Sequence, residues 1–476
     1  MLFTSCVFLF AFLPAVLLAY ILVRTTPLRN FLLMTASLFF YAWGEVEWCW
    51  VMLAVIAINY VSAIGIESAS NQKYRKLLLA LTIFADLSLL AYFKYAGFLA
   101  SNLNNLLMGI QAPALEIGKV HLPLGISFFV FHSLSYVVDV YRKVARAQRN
   151  PFNMALYISL FPQLIAGPIV RYHDICEQLT ERTVNIEKFS EGIRRFATGL
   201  AKKMLIANAL AVPADRIFSL ANNELTAPVA WLGAICYTFQ IYFDFSGYSD
   251  MAVGLGLLFG FQLPENFNYP YVARSMKDFW QRWHMSLSNW FRDYLYIPLG
   301  GNRVPDWRVC LNLMIVFLLC GLWHGASWQF VAWGLLHGAF LGAEKAFAGK
   351  LLDRLWNPLR HVYVALVVVL SWVLFRAENF SQAIVFYRSM FGFGPHGSLY
   401  SAATYLNAET CFLLLTALVA SLPVRKLLAQ LADRGAFVFN KGQMYSLRAA
   451  WCFAVLLLSM GEIAAGTYNP FIYFRF

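Results

Sequence analysis

The chain has 476 residues, of which 60% are hydrophobic, 17% aromatic and only 13% charged. A soluble chain of this length saturates its core and covers the remainder with a polar shell, so this composition excludes an ordinary soluble protein. The net charge of +12 does not point to nucleic acid, because the cations sit in short loops between apolar blocks.

Apolar blocks run roughly over 5–23, 31–44, 48–66, 77–97, 122–140, 152–170, 229–262, 309–323, 327–343, 362–375, 411–422 and 449–466. A crossing needs about 20 apolar residues, and these blocks predict an all-α polytopic membrane protein with about 11 transmembrane helices plus re-entrant and interfacial helices. The first block has neither a basic leader nor a small-residue cleavage site, which predicts a retained helix. Arg24 and Arg29 follow the first block, Lys73, Arg75 and Lys76 the third, and Arg142, Lys143, Arg146 and Arg149 the fifth. The segments after the second and fourth blocks are poor in cations. This alternation predicts a cytoplasmic face for the basic loops and an external, periplasmic N-terminus. With no repeat or linker, the chain reads as one domain over 1–476: N-terminal helices 1–120, a core 121–345 and C-terminal helices 346–476.

In the middle of the chain, Pro123, Pro162 and Pro168 interrupt apolar runs and predict kinks or re-entrant segments. His132 and Asp139 stand two turns apart on one helix face; either could line a tunnel, and a structural role is the favoured expectation. Residues 171–228 mix charges such as Glu191, Arg194, Arg195, Lys202 and Lys203 with helical apolar spacing, which fits a helix lying in the membrane plane. In YFDFSGYSDMAVGLGLLFG, residues 242–260, Asp244 and Asp250 are expensive unless satisfied. Tyr242, Ser246, Tyr248 and Ser249 are the candidate partners, and Gly247 permits a break in a helix lining a polar cavity; a buried polar knot that holds helices together is the equal alternative. The glycines of GLGLLFG follow no strand and carry no dinucleotide reading.

Residues 275–296, SMKDFWQRWHMSLSNWFRDYLY, read as one amphipathic helix. Ser275 and Asp278 resemble a capping box, and Asp278 can pair with Arg282. Trp280, Trp283, His284, Leu287, Phe291 and Tyr294 share a face. The stretch is too polar to cross a bilayer. In GLWHGASWQFVAWGLLHG, residues 321–338, His324 lies among Trp323, Gly325 and Trp328. An apolar setting disfavours the imidazolium, so this ring is expected to be neutral and able to take a proton from an attacking hydroxyl or thiol. Gly321, Gly325 and Gly334 permit close approach of a backbone or a thin acyl-carrier arm. His337 is off the His324 face if one helix continues, and is expected to be structural. None of the eight cysteines forms a CxxC pair, so free buried thiols and no metal site are expected.

These motifs resemble the membrane-bound O-acyltransferases, specifically the bacterial branch that contains alginate O-acetyltransferases. The resemblance rests on LPLGISFFVFHSLSYVVDVYR, FPQLIAGPIVR, YFDFSGYSDMAVGLGLLFGF, PENFNYPY, DFWQRWHMSLSNWFRDYLYIPLGGNR, GLWHGASWQFVAWGLLHG and the closing NPFIYFRF, spread over residues 122–476. It implies that His324 is the signature histidine and His284 the second functional polar residue. Arg282, Trp283, Asn289, Arg292, Asp293, Trp323, Trp328, Asp244 and Asp250 are the candidate substrate-binding residues. Trp indoles, Asn289 or His284 are candidate donors to an oxyanion.

The resemblance further implies an enzyme of the bacterial inner membrane that holds no permanent cofactor and takes acetyl from acetyl-CoA. Lys277, Arg282 or Arg303 would meet the CoA phosphates. Partner proteins with an SGNH-hydrolase-like domain would then place the acetyl on exopolysaccharide hydroxyls. Alginate and cellulose both remain open as the polymer, as do D-alanyl transfer to teichoic acid and acetyl transfer to peptidoglycan. A transporter of polysaccharide or a small anion is the rival from another class, and a scaffold subunit whose chemistry lives in its partners is a further one.

Overall fold

A computed structural model describes residues 1–116, 118, 120–395, 400–424, 441–466, 468, 470 and 472. Every regular element among them is helical. Five helices are long and apolar enough to cross a membrane: Cys49–Ser68, Gln72–Gly109, Asp306–His324, Asn357–Arg376 and Tyr445–Ala464. Shorter apolar helices run over Phe8–Leu22, Ile126–Tyr141 and Ala408–Ala420. Their large outward residues, such as Leu18, Phe84 and Phe453, are exposed, as expected of surfaces whose solvent is lipid. Of the closing segment 469–476, only Pro470 and Ile472 lie within the described residues. The eight cysteines are free thiols, but only Cys236 and Cys320 are buried, whereas Cys6 and Cys411 are exposed.

The chain forms two compact units, one from Met1–Ile193 with Ala252–Pro264, the other from Arg194–Met251 with Glu265–Phe476. In the first, the expected interruption at 152–170 appears as two short helices, Pro151–Ser159 and Phe161–Leu164. Pro162 enters at the start of the second, where its missing N–H costs nothing. His132 and Asp139 do structural work. His132 Nε2 accepts from Val170 N–H at 3.3 Å, and Asp139 pairs with His173 at 2.8 Å. That carboxylate raises the His173 imidazole above its ordinary value. Arg182 bonds Asn30, Tyr20 and the Phe259 carbonyl, so one cation gathers three distant segments.

The long helix Ala227–Leu258, whose residues up to Met251 belong to the second unit, corrects the reading of residues 242–260: it runs unbroken through Gly247. A Cβ on Gly247 would stand 2.7 Å from the Gly199 carbonyl oxygen, and one on Gly199 would stand 2.4 Å from that of Gly247. The glycine is there for close helix packing, not for a bend. The partner helix Ile186–Ala201 continues through a π-helical turn, Lys202–Ala207. It brings cations onto the buried carboxylates: Lys203 pairs with Asp244, Lys202 with Asp250 at 2.7 Å, and Arg195 with Asp250 at 2.7 Å. Neutral hydroxyls were the expected partners. A buried carboxylate is compensated far better by an opposite charge, which explains the difference.

Candidate active site

The segment 275–296 is not one helix. Ser275 Oγ accepts from Asp278 N–H at 3.0 Å and starts Met276–Trp280 as the sequence predicts, and Arg282 meets Asp278 at 2.6 Å. The chain then turns at His284, whose φ of 43° is left-handed, before Met285–Phe291 begins. A non-glycine residue in that region costs about 1–2 kcal/mol. The cost is offset by Asn266, in the PENFNYPY stretch. Its carbonyl accepts from Met285 N–H at 2.9 Å. Its side-chain Oδ1 accepts from Ser286 N–H at 3.2 Å and Ser286 Oγ at 2.9 Å, and lies 3.1 Å from His284 Nδ1. Asn268 N–H adds a bond to the Arg282 carbonyl at 2.9 Å. A neighbouring segment thus satisfies the first turn of Met285–Phe291, so no continuous helix is needed to do it.

His324 is the last residue of Asp306–His324, and the chain returns as Trp328–Ala343. Glycines set this hairpin. A Cβ on Gly321 would lie 2.2 Å from the Phe330 carbonyl oxygen, and one on Gly334 would lie 2.2 Å from that of Phe317. The close approach expected of these residues is therefore backbone against backbone, and it fixes where the His324 ring stands. Because the helix ends at His324, His337 lies on the returning helix of the hairpin rather than on a continuation. It takes a bond from Trp280 Nε1 at 3.3 Å and packs on Trp333 at 4.8 Å between centroids.

The His324 ring has an aromatic shell. Its centroid lies 5.0 Å from Trp323, 5.1 Å from Trp333, 5.2 Å from Phe375 and 6.3 Å from His284. His284 is fully buried, 4.6 Å from Phe245 and 5.9 Å from Trp323. It lies outside the spanning helices, and burial pushes its imidazole down to about 3, so the ring is neutral at pH 7. Its Nε2 has no hydrogen-bond partner among the described residues, nor has the indole N–H of Trp333. Each such orphan costs about 1–3 kcal/mol, which makes them groups to explain.

Two cavities adjoin the shell. A narrow one of about 20 Å³ is lined by His324, Trp283, Phe245, Trp333, Trp372 and Phe375, among others. It has room for about one water-sized group. A larger one of about 410 Å³ is lined by polar residues including Gln240, Ser327, Gln329, Arg376 and Glu378. Phe375 and Ile472 belong to both linings, and the Ile472 N–H donates to Asp244 at 3.2 Å.

Of the candidate residues, His284, His324, Trp283 and Trp323 come together. Asp244 stands behind Ile472, and Asp250 is taken up by its two cations. Of all the candidates only Trp283 and His324 line the narrow cavity, and none lines the larger one. Arg282 is held by Asp278, Arg292 pairs with its neighbour Asp293 at 2.7 Å, Asn289 is half-buried and Trp328 is largely exposed. Sequence reasoning missed Asn266, Trp333, Trp372 and Phe375 as parts of this site. Trp333 sat inside the quoted hairpin motif and Asn266 inside PENFNYPY, but nothing local distinguishes them from packing residues.

The membrane-bound O-acyltransferase family model matches residues 71–381. The protein named "Probable alginate O-acetylase AlgI" of Azotobacter vinelandii is 42% identical, with both chains covered in full. Its namesake in Pseudomonas aeruginosa is 45% identical over 83% of this chain and 75% of the relative. The "Peptidoglycan O-acetyltransferase" of Helicobacter pylori is 36% identical over 100% of this chain and 98% of its own.

Proposed function

Because this chain belongs to the membrane-bound O-acyltransferase family, we propose that it passes acetyl from cytoplasmic acetyl-CoA across the bacterial inner membrane for O-acetylation of alginate. The observation that carries this reading is His324 among buried aromatic rings, on a narrow cavity that shares walls with a larger one bearing polar side chains. The uncharged imidazole of His324 takes the proton from an acceptor hydroxyl as its oxygen attacks the thioester carbonyl. The C–S bond then breaks, and the imidazolium returns the proton to the departing CoA thiolate. The indole N–H of Trp333, buried and without an acceptor among the described residues, supplies a donor for the developing oxyanion. No covalent acyl-enzyme is required by this sequence of steps.

The topology that goes with this function has about 11 crossings, a periplasmic N-terminus and basic cytoplasmic loops, all within one domain. Lys277, Arg282 and Arg303 are the proposed contacts for the CoA phosphates, and SGNH-like periplasmic partners receive the acetyl. Alginate is favoured as the polymer by the names of two relatives that cover most of this chain. Peptidoglycan is the second reading, favoured by the full-length match to the Helicobacter pylori protein.

The test is His324→Ala in native membranes supplied with labelled acetyl-CoA and the polymer. Transfer is expected to fall about 100- to 10,000-fold with the protein still folded. Near-normal transfer would remove the assignment, and a wild type that consumes no acetyl-CoA would favour the transporter.

A further inference from the structure

We infer that Asn266 is a positioning residue that holds His284 in the Nδ1–H tautomer, so that its Nε2 offers a bare lone pair, not an N–H, to the rings around His324. This rests on the acyltransferase reading for its consequence, though its geometry stands alone. The Ser286 backbone N–H can only donate. It lies 3.2 Å from the Asn266 side chain, so the atom facing it is the carbonyl Oδ1. Turning the amide over would set NH₂ donors against that N–H. The same Oδ1 lies 3.1 Å from His284 Nδ1, and an oxygen that only accepts requires that nitrogen to carry the proton. Turning the imidazole over would replace this bond with a C–H contact. In a neutral ring the other nitrogen is then unprotonated.

That nitrogen, Nε2, is buried and has no donor among the described residues. The rings beside His284 are those of Phe245, Trp323 and His324. His284 therefore does not polarise a thioester carbonyl, which would need an N–H donor. It accepts: the hydroxyl of the acceptor, or the protonated His324 ring formed during transfer, is the complementary donor. The left-handed backbone at His284 belongs to the same device, because it brings His284 Nδ1 and Ser286 N–H onto one oxygen.

The experiment combines two readouts on the full-length protein in lipid bilayers. Nitrogen NMR of isotope-labelled histidine, with the His284 signals assigned by their loss in His284→Gln, reads the tautomer. Steady-state acetyl transfer reads the consequence. In the wild type, Nδ1 is expected to be protonated and Nε2 bare. In Asn266→Ala the proton is expected to divide between the two nitrogens, with kcat lowered about 10- to 100-fold and KM for acetyl-CoA little changed. Asn266→Asp, which still accepts from both donors, is expected to keep the tautomer and to restore most of kcat.

A protonated Nε2 in the wild type would overturn the inference. So would a folded Asn266→Ala enzyme with normal kcat, or an Asn266→Asp enzyme that keeps the Nδ1–H tautomer yet is as slow as Asn266→Ala. If Asn266→Ala does not fold, the wild-type spectrum and the Asp variant still decide. If the wild type transfers no acetyl, the acyltransferase reading fails while the spectrum still decides the tautomer.

Discussion

Two buried polar regions of the second unit solve the same problem in opposite ways. Around Asp244 and Asp250 every buried charge meets an opposite one, from Lys203, Lys202 and Arg195. Around His324, by contrast, His284 Nε2 and the Trp333 indole N–H find no hydrogen-bond partner among the described residues, inside an aromatic shell. Compensated charge holds helices in place. Uncompensated, neutral polarity keeps hydrogen-bonding capacity available for something that arrives later. A carboxylate in an apolar run is thus a weaker pointer to chemistry than orphaned polar atoms gathered beside a cavity, and an orphaned nitrogen alone is no pointer, since His132 Nδ1 and His337 Nε2 also lack partners among the described residues.

If the comparison is right, the two regions fail differently. Lys203→Ala leaves Asp244 buried and uncompensated, and about 3–5 kcal/mol of stability is expected to disappear. A thermal melt in detergent measures it. The double variant Lys203→Met with Asp244→Leu should recover most of that loss, and failure to recover would mean the pair does more than hold helices. Trp333→Phe should do the reverse: kcat for acetyl transfer is expected to drop about 100- to 1,000-fold with the melting temperature nearly unchanged. A drop in stability without a drop in kcat would return Trp333 to the packing. The smallest effect is expected at Arg292→Ala. Its pair with Asp293 is exposed on the arginine side, so stability should change by at most about 1 kcal/mol and transfer should hold. A large loss of transfer would restore Arg292 as a substrate contact.

Some of the site could be read directly. His324 is marked by its own neighbours: an imidazole between two tryptophans and two glycines at the end of an apolar run is costly wherever it sits. Ser275 and Asp278 announce a helix start that the structure contains. The reading of 275–296 as a single amphipathic helix went wrong at His284. Helical spacing continues through the turn, and the force that breaks it comes from Asn266 in another segment. The partners of Asp244 and Asp250 were missed for a related reason. Local hydroxyls were visible beside them in the chain, while the cations that neutralise them come from the preceding helix.

The solvent of this protein, its helical class and the imidazole at 324 can be read from the order of residues alone, because transfer of apolar side chains into lipid and the cost of a polar group there are additive along the chain. Only the tertiary structure decided that His284 reaches His324, that Trp333 and Phe375 close the shell, and that Asn266 chooses which nitrogen of His284 bears the proton. Those outcomes depend on directional contacts a few ångströms long between segments far apart in sequence, and no periodicity encodes them.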